Sequence, residues 1–182
     1  MDTENLQRYL DSFGKQVVNR AKGNLQKAKG GKTKLEQTIR FEIVETADGF
    51  TVQFYMADYG VFVDKGVSGI KVKRTFTDTK GNRVATPFQF GSGTGPKGGL
   101  RRGLDKWIIR KGIAPRDKEG KFISRKSIKF LIARSIFRKG IQGLSFFQKP
   151  LMLGLKEFGK EMLGAVKVDI INELKTAKYT VS

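Results

Sequence analysis

Residues 39–44 read Ile-Arg-Phe-Glu-Ile-Val, and residues 50–56 read Phe-Thr-Val-Gln-Phe-Tyr-Met, with Ala47, Asp48 and Gly49 between them. Ile39, Phe41 and Ile43 alternate with Arg40, Glu42 and Val44, and Phe50, Val52, Phe54 and Met56 alternate on the return. Successive side chains of a strand point to opposite faces, so the pattern predicts a β-hairpin with one apolar face. A lone hairpin is marginal in water, and its apolar face needs a cover.

The cover is sought upstream first. Leu6, Tyr9, Leu10, Phe13, Val17, Ala21, Leu25 and Ala28 recur at helical spacing, after Asp2 or Thr3 as a cap. Gly14 and Gly23 weaken this helix, and residues 29–34, with Gly30 and Gly31, read as a mobile connector. Downstream, Leu151, Leu155, Phe158, Met162, Val166, Ile170 and Leu174 form the stripe of a long final helix, with Pro150 near its first turn. Gly154, Gly159 and Gly164 inside that helix point to close packing, against either the sheet or a neighbouring subunit. The fold class expected is α+β. A small antiparallel sheet packs against an N-terminal and a long C-terminal helix, and a basic helical hairpin is inserted between them. The scaffold would be residues 1–66 and 145–182, and the insertion residues 67–144.

Between the hairpin and that final helix, residues 57–66 read as a helical turn closed by Gly66, whose role would be a backbone conformation other residues avoid. Val61 and Val63 suit the core; Tyr59 and Phe62 suit either the core or a neighbouring subunit. Residues 67–79 alternate weakly, residues 78–83 resemble a hairpin tip, and residues 86–99 form an irregular loop. Two short helices follow. Leu100, Leu104, Trp107 and Ile108 make the stripe of one; Ile128, Leu131, Ile132 and Ile136 make the stripe of the other, capped by Ser124.

Charge separates these regions. The 182-residue chain holds 36 Lys+Arg against 17 Asp+Glu, and 20 of the basic but only 4 of the acidic residues lie between Val67 and Leu144. Candidate contacts are Lys71, Lys73, Arg74, Arg101, Arg102, Lys106, Arg110, Lys111, Arg125, Lys126, Lys129, Arg134 and Arg138. Such a field attracts polyanions and acidic protein faces alike. It can hold a nucleic acid backbone through phosphate contacts without reading sequence, and both partners stay open.

The chain has no cysteine and no histidine. Disulfides, thiol nucleophiles, Ser-His-Asp and Cys-His catalysis and the usual zinc sites are thereby excluded. Carboxylate pairs remain, Asp58 with Asp64 and Glu42 with Glu45, but nothing in their spacing singles out acid–base work over solvated charge. The loop at residues 91–99 is rich in glycine. A phosphate-cradling loop needs Gly-Lys-Ser/Thr opening a helix, whereas here Pro96 precedes Lys97 and Gly98 follows it. A loop ordered by a partner is the better reading. Neither an enzyme, a cofactor nor a metal is expected. No apolar run approaches the roughly 20 residues of a membrane span, so a soluble protein made in the cytoplasm is expected, with no membrane partner.

Tyr59-Gly60-Val61-Phe62-Val63-Asp64-Lys65-Gly66 after the hairpin, and Phe146-Phe147-Gln148-Lys149-Pro150-Leu151 opening the last helix, resemble the tail-completion and head–tail joining proteins of tailed bacteriophages. Leu151 stands where the family commonly has a small residue, and residues 67–144 are longer than its usual middle segment. The resemblance implies a structural virion protein, not an enzyme. Its subunits would form a homo-oligomeric ring in the neck or upper tail, between portal and tail proteins, around the DNA channel. Tyr59, Phe62, Asp64, Gly66 and Pro150 would be core or subunit-interface positions. The rival is a non-sequence-specific nucleic acid-binding protein that uses residues 67–144.

Overall fold

The computed structural model describes residues 3–47, 49–91 and 99–180, with the side chains of residues 99, 101, 102 and 175–180 outside that description. Asp2, Asp48 and residues 92–98 of the glycine loop also lie outside it.

The alternating stretch forms the expected hairpin. β1 (Arg40–Thr46) pairs antiparallel with β2 (Gly49–Tyr55), setting Phe41 opposite Phe54 and Ile43 opposite Val52. Two helices cover its apolar face. α1 (Glu4–Lys29) buries Leu10, Phe13, Val17, Val18, Ala21 and Leu25, and ends at Gly30 in the left-handed conformation (φ 71°). A short α2 (Lys34–Thr38) follows, closed by a reciprocal cap in which the Thr33 hydroxyl accepts from Glu36 N–H and the Glu36 carboxylate accepts from Thr33 N–H. The supposed connector at residues 29–34 therefore ends in a capping box, whose Thr-x-x-Glu spacing is its sequence signature.

α3 (Gly60–Lys65) is the predicted helical turn, and β3 (Gly66–Val67) leads away from it. β4 (Thr75–Thr77) and β5 (Arg83–Ala85) pair around a turn in which the Asp78 carboxylate accepts from the Lys80 and Asn82 amides. α4 (Gly99–Arg110) and α5 (Arg125–Lys139) are the basic helices, β6 (Ile141–Gln142) pairs with β3, and α6 (Gln148–Thr180) ends the chain. The fold is α+β, with the hairpin sheet packed against an N-terminal and a long C-terminal helix.

Two compact units result. One holds residues up to Asp64, Thr77–Val84 and the chain from Leu144 on; the other holds Lys65–Phe76 and Ala85–Gly143. These boundaries differ from a simple insertion at residues 67–144. Pairing of β3 with β6 draws Gly66 into the second unit. The 78–82 turn belongs with the first, where Thr77 N–H reaches the Ser145 hydroxyl at 3.4 Å.

In the first unit α1 and α6 run antiparallel, since Asn5 and Leu6 meet Asp169, Tyr9 meets Phe158, and Phe13 lies against Gly154. Edge-on rings link the layers: Phe158 to Phe13 at 4.8 Å between centroids, and Phe54 to Phe147 at 5.4 Å. Burial beside Glu161 and Glu157 pushes the Tyr9 phenol up to about 12, so it stays protonated and donates to the Phe158 carbonyl at 3.2 Å. Glycine permits two close approaches. A Cβ on Gly14 would meet the Phe41 ring at 2.3 Å, and one on Gly154 the Phe13 ring at 2.8 Å. Gly159 and Gly164 face open space, so no close packing among the described residues requires glycine there.

Of the two caps expected for α1, Asp2 lies outside the described residues, and the Thr3 side chain makes no capping hydrogen bond. Instead Asp169, far along α6 and only 1% exposed, accepts from Asn5 N–H (3.1 Å), Leu6 N–H (3.0 Å) and the Asn5 side-chain amide (2.7 Å). A helix start carries unpaired N–H groups and partial positive charge, and both favour a carboxylate there. Burial pushes the Asp169 carboxyl up, but its hydrogen bonds from Asn5 and Leu6 outweigh this and hold it below its usual range. Asp169 replaces Ile170 on the packed row of α6, leaving Ile170 and Leu174 exposed.

Three variants test this packing. A group whose native pKa is depressed stabilises above its ordinary value, near 3.9 for aspartate, and loses that contribution as pH falls through the native value. Urea unfolding should therefore show Asp169→Asn weaker than wild type at neutral pH, with the gap closing in acid; a gap independent of pH would exclude the charged cap. Gly14→Ala should cost about 1–3 kcal/mol through overpacking against Phe41. Gly23→Ala, which meets nothing within 4 Å, should instead stabilise by up to about 1 kcal/mol.

Candidate functional site

Two regions carry the candidate residues. The first is the junction between α3 and the start of α6. Asp64 is buried, and its carboxylate accepts from Phe147 N–H at 2.8 Å. Around that bond the chains run side by side, with Leu144 N–H donating to the Val63 carbonyl and Ser145 N–H to the Asp64 carbonyl. Ser145 turns the chain in the left-handed region (φ 48°), a conformation few residues other than glycine adopt. Phe146, Phe147 and Pro150 are then buried at the opening of α6. Gly66 has φ +76°, and a Cβ there would meet the Gly143 nitrogen at 2.4 Å, so conformation and space both require glycine. Val63 packs against the core, whereas Tyr59 and Phe62 are 49% and 46% exposed.

Asp64 is thus a structural carboxylate, with Asp58 exposed nearby in sequence. Glu42 and Glu45 are exposed, and Glu42 pairs with Arg40 on its own strand. Among the described residues no cluster of Asp or Glu could hold a metal ion, and no helix is long and apolar enough to cross a membrane.

The second region is the cationic unit, with 19 basic against 3 acidic residues, a net +16. α4 and α5 form its helical hairpin around Leu104, Ile108, Ile128 and Ala133. Ser124 caps α5, its hydroxyl accepting from Ser127 N–H. Leu131, assigned to the packed stripe by spacing, is exposed, and Ala133 is buried instead. Apolar residues surround α5, with Phe130, Leu131 and Phe137 all exposed, so the sequence gives no single stripe to follow.

The candidate cations divide into engaged and outward groups. Arg125 and Lys129 reach across to Asp105 on α4, at 3.6 and 3.3 Å. Arg74 donates from Nε to the Lys139 carbonyl at 2.8 Å, a cation at the C-terminal end of α5 where the helix dipole favours one. Arg138 is half-buried, and its carbonyl accepts from Lys71 N–H. Lys106 and Arg110 lie one turn apart on the exposed face of α4, and Lys126 and Arg134 flank Phe130 on the exposed face of α5. Lys71, Lys73 and Lys111 are also exposed, while the side chains of Arg101 and Arg102 lie outside the described residues.

The first unit also contains an apolar cleft of about 660 Å³, walled by α1, β2 and α6. Sequence reasoning missed it, because its walls are residues expected in a closed core. The chain matches no family model, no curated protein and no solved structure.

Asp64→Ala should cost about 1–3 kcal/mol, because Phe147 N–H would stay buried without its partner. Chemical denaturation checks this, and an unchanged midpoint would show that water replaces the carboxylate without loss.

Proposed function

We propose that this chain is a structural subunit of the neck or upper tail of a tailed bacteriophage, assembling into a homo-oligomeric ring that joins portal and tail around the DNA channel. One observation carries the reading. The two short segments that resemble tail-completion proteins, 83 positions apart, are tied by the buried Asp64–Phe147 hydrogen bond. Their residue choices thereby acquire a common purpose: Asp64 receives the helix, Gly66 turns away from it, and Pro150 sits in its buried first turn. The hairpin adds support, because the outer edges of β1 and β2 find no strand partner among the described residues. Such edges invite a neighbour, and a head-to-tail arrangement closes into a ring when its rotation closes.

In this function the chain performs no catalysis and needs no cofactor. Its cationic unit would grip an acidic neighbouring protein or face the DNA path. Ring-shaped particles in electron micrographs, alone or with a portal protein, are the expected result. The net charge of the second unit favours one rival, a free-standing protein that binds nucleic acid without sequence preference. The rival requires a monodisperse monomer whose DNA affinity falls steeply with salt.

Replacing Lys106, Arg110, Lys126 and Arg134 together with Gln should shift stability by no more than about 0.5 kcal/mol per site, since all four are exposed. Docking onto the partner should weaken. Unchanged incorporation into particles would remove the adhesive role of these charges.

A further inference from the structure

α6 carries a second apolar stripe that α1 does not cover. Leu163, Ile170, Ile171 and Leu174 stand at i, i+7, i+8 and i+11, the spacing of one helix face, and are 66%, 43%, 39% and 61% exposed. Because Asp169 meets the first turn of α1, the eleven residues from Ile170 to Thr180 run past the start of that helix, an overhang of about 16 Å. Gly159 and Gly164 beside the stripe have open space where a side chain would stand, so another backbone could approach there.

The same unit holds the complementary shape. The cleft runs along α1 from Thr3 to Phe13, with Thr51 and Val52 of β2 and Leu155 and Met162 of α6 among its other walls. Ten helical steps from Thr3 to Phe13 give about 15 Å, against about 17 Å for the eleven steps from Leu163 to Leu174. A groove and an amphipathic helix of matched length are the two halves of a recurrent recognition mode.

We infer that the Leu163–Leu174 stripe of one copy docks in the α1–β2–α6 cleft of a second copy of this chain. Stripe and cleft are different surfaces, so the contact is heterologous, and each bound subunit presents both surfaces again. This rests on the ring reading and names the contact that would build the ring.

The test uses two variants of the full chain, each checked for native circular dichroism. Ile170→Glu with Leu174→Glu spoils the stripe; Thr51→Glu with Leu155→Glu spoils the cleft, at positions that are already exposed. Should the first lose its fold, Leu163→Lys replaces it, because Leu163 is the most exposed residue of the stripe. Light scattering after size exclusion should find wild type oligomeric and each variant weakened by about 30-fold or more, as for a central contact. An equimolar mixture of the two variants should give a dimer, since one intact stripe still meets one intact cleft. Variants that assemble like wild type, or a mixture that stays monomeric, would overturn the docking while wild-type rings preserved the functional reading. A wild-type chain monomeric at every concentration, and forming no ring with a portal protein, would overturn both.

Discussion

Two buried carboxylates at the starts of helices govern this fold. The first unbonded N–H groups of a helix need acceptors, and in a buried setting water cannot supply them. Asp169 meets this demand for α1 from the far part of α6, and Asp64 meets it at Phe147, where the chain enters α6 from α3. Each bond spans more than eighty positions of chain, so neither helix can be placed without the other part of the scaffold. The hairpin, which could not persist alone, gains its cover from the pair so fixed.

That constraint accounts for details that look arbitrary in isolation. Antiparallel packing of α1 on α6 leaves room for Phe13 only because residue 154 lacks a side chain, and Phe41 reaches α1 only because residue 14 does. The turn at Ser145 aims Phe146 and Phe147 into the core. The second unit carries its dense positive charge around a small apolar centre of Leu104, Ile108, Ile128 and Ala133. Its ion pairs at Asp105 are partly exposed and contribute little to stability.

Much of the scaffold was legible because it obeys simple periods. Alternation gave the hairpin, and Leu10, Phe13, Val17, Ala21 and Leu25 gave the covered face of α1. What escaped was non-local or chemically disguised. Asp169 occupies a position on the packed row of α6 where periodicity looks only for apolar residues, and its partner lies 164 positions away. The two-residue pairing of β3 with β6 is too short to leave a pattern. In α5, exposed Phe130 and Leu131 counterfeited a packed face, while small Ala133 did the packing. Among the candidate cations, charge counting could not distinguish Arg74, which holds a helix end, from Lys106, which faces water. The Asp64 motif was readable as a resemblance, but its hydrogen-bond partner was not.

Function is therefore approached through surfaces. Among the described residues the outer hairpin edges find no strand partner, part of α6 stays apolar and exposed, and the second unit is strongly basic. Amide hydrogen exchange in the purified protein tests the underlying claim most directly. The Asn5, Leu6 and Phe147 amides, ordinarily fast-exchanging at helix starts, should be protected to a degree approaching that of Val17 in mid-helix. Exchange at the rate of an open chain at these three positions would contradict the account, because the carboxylates would then not be holding the helices.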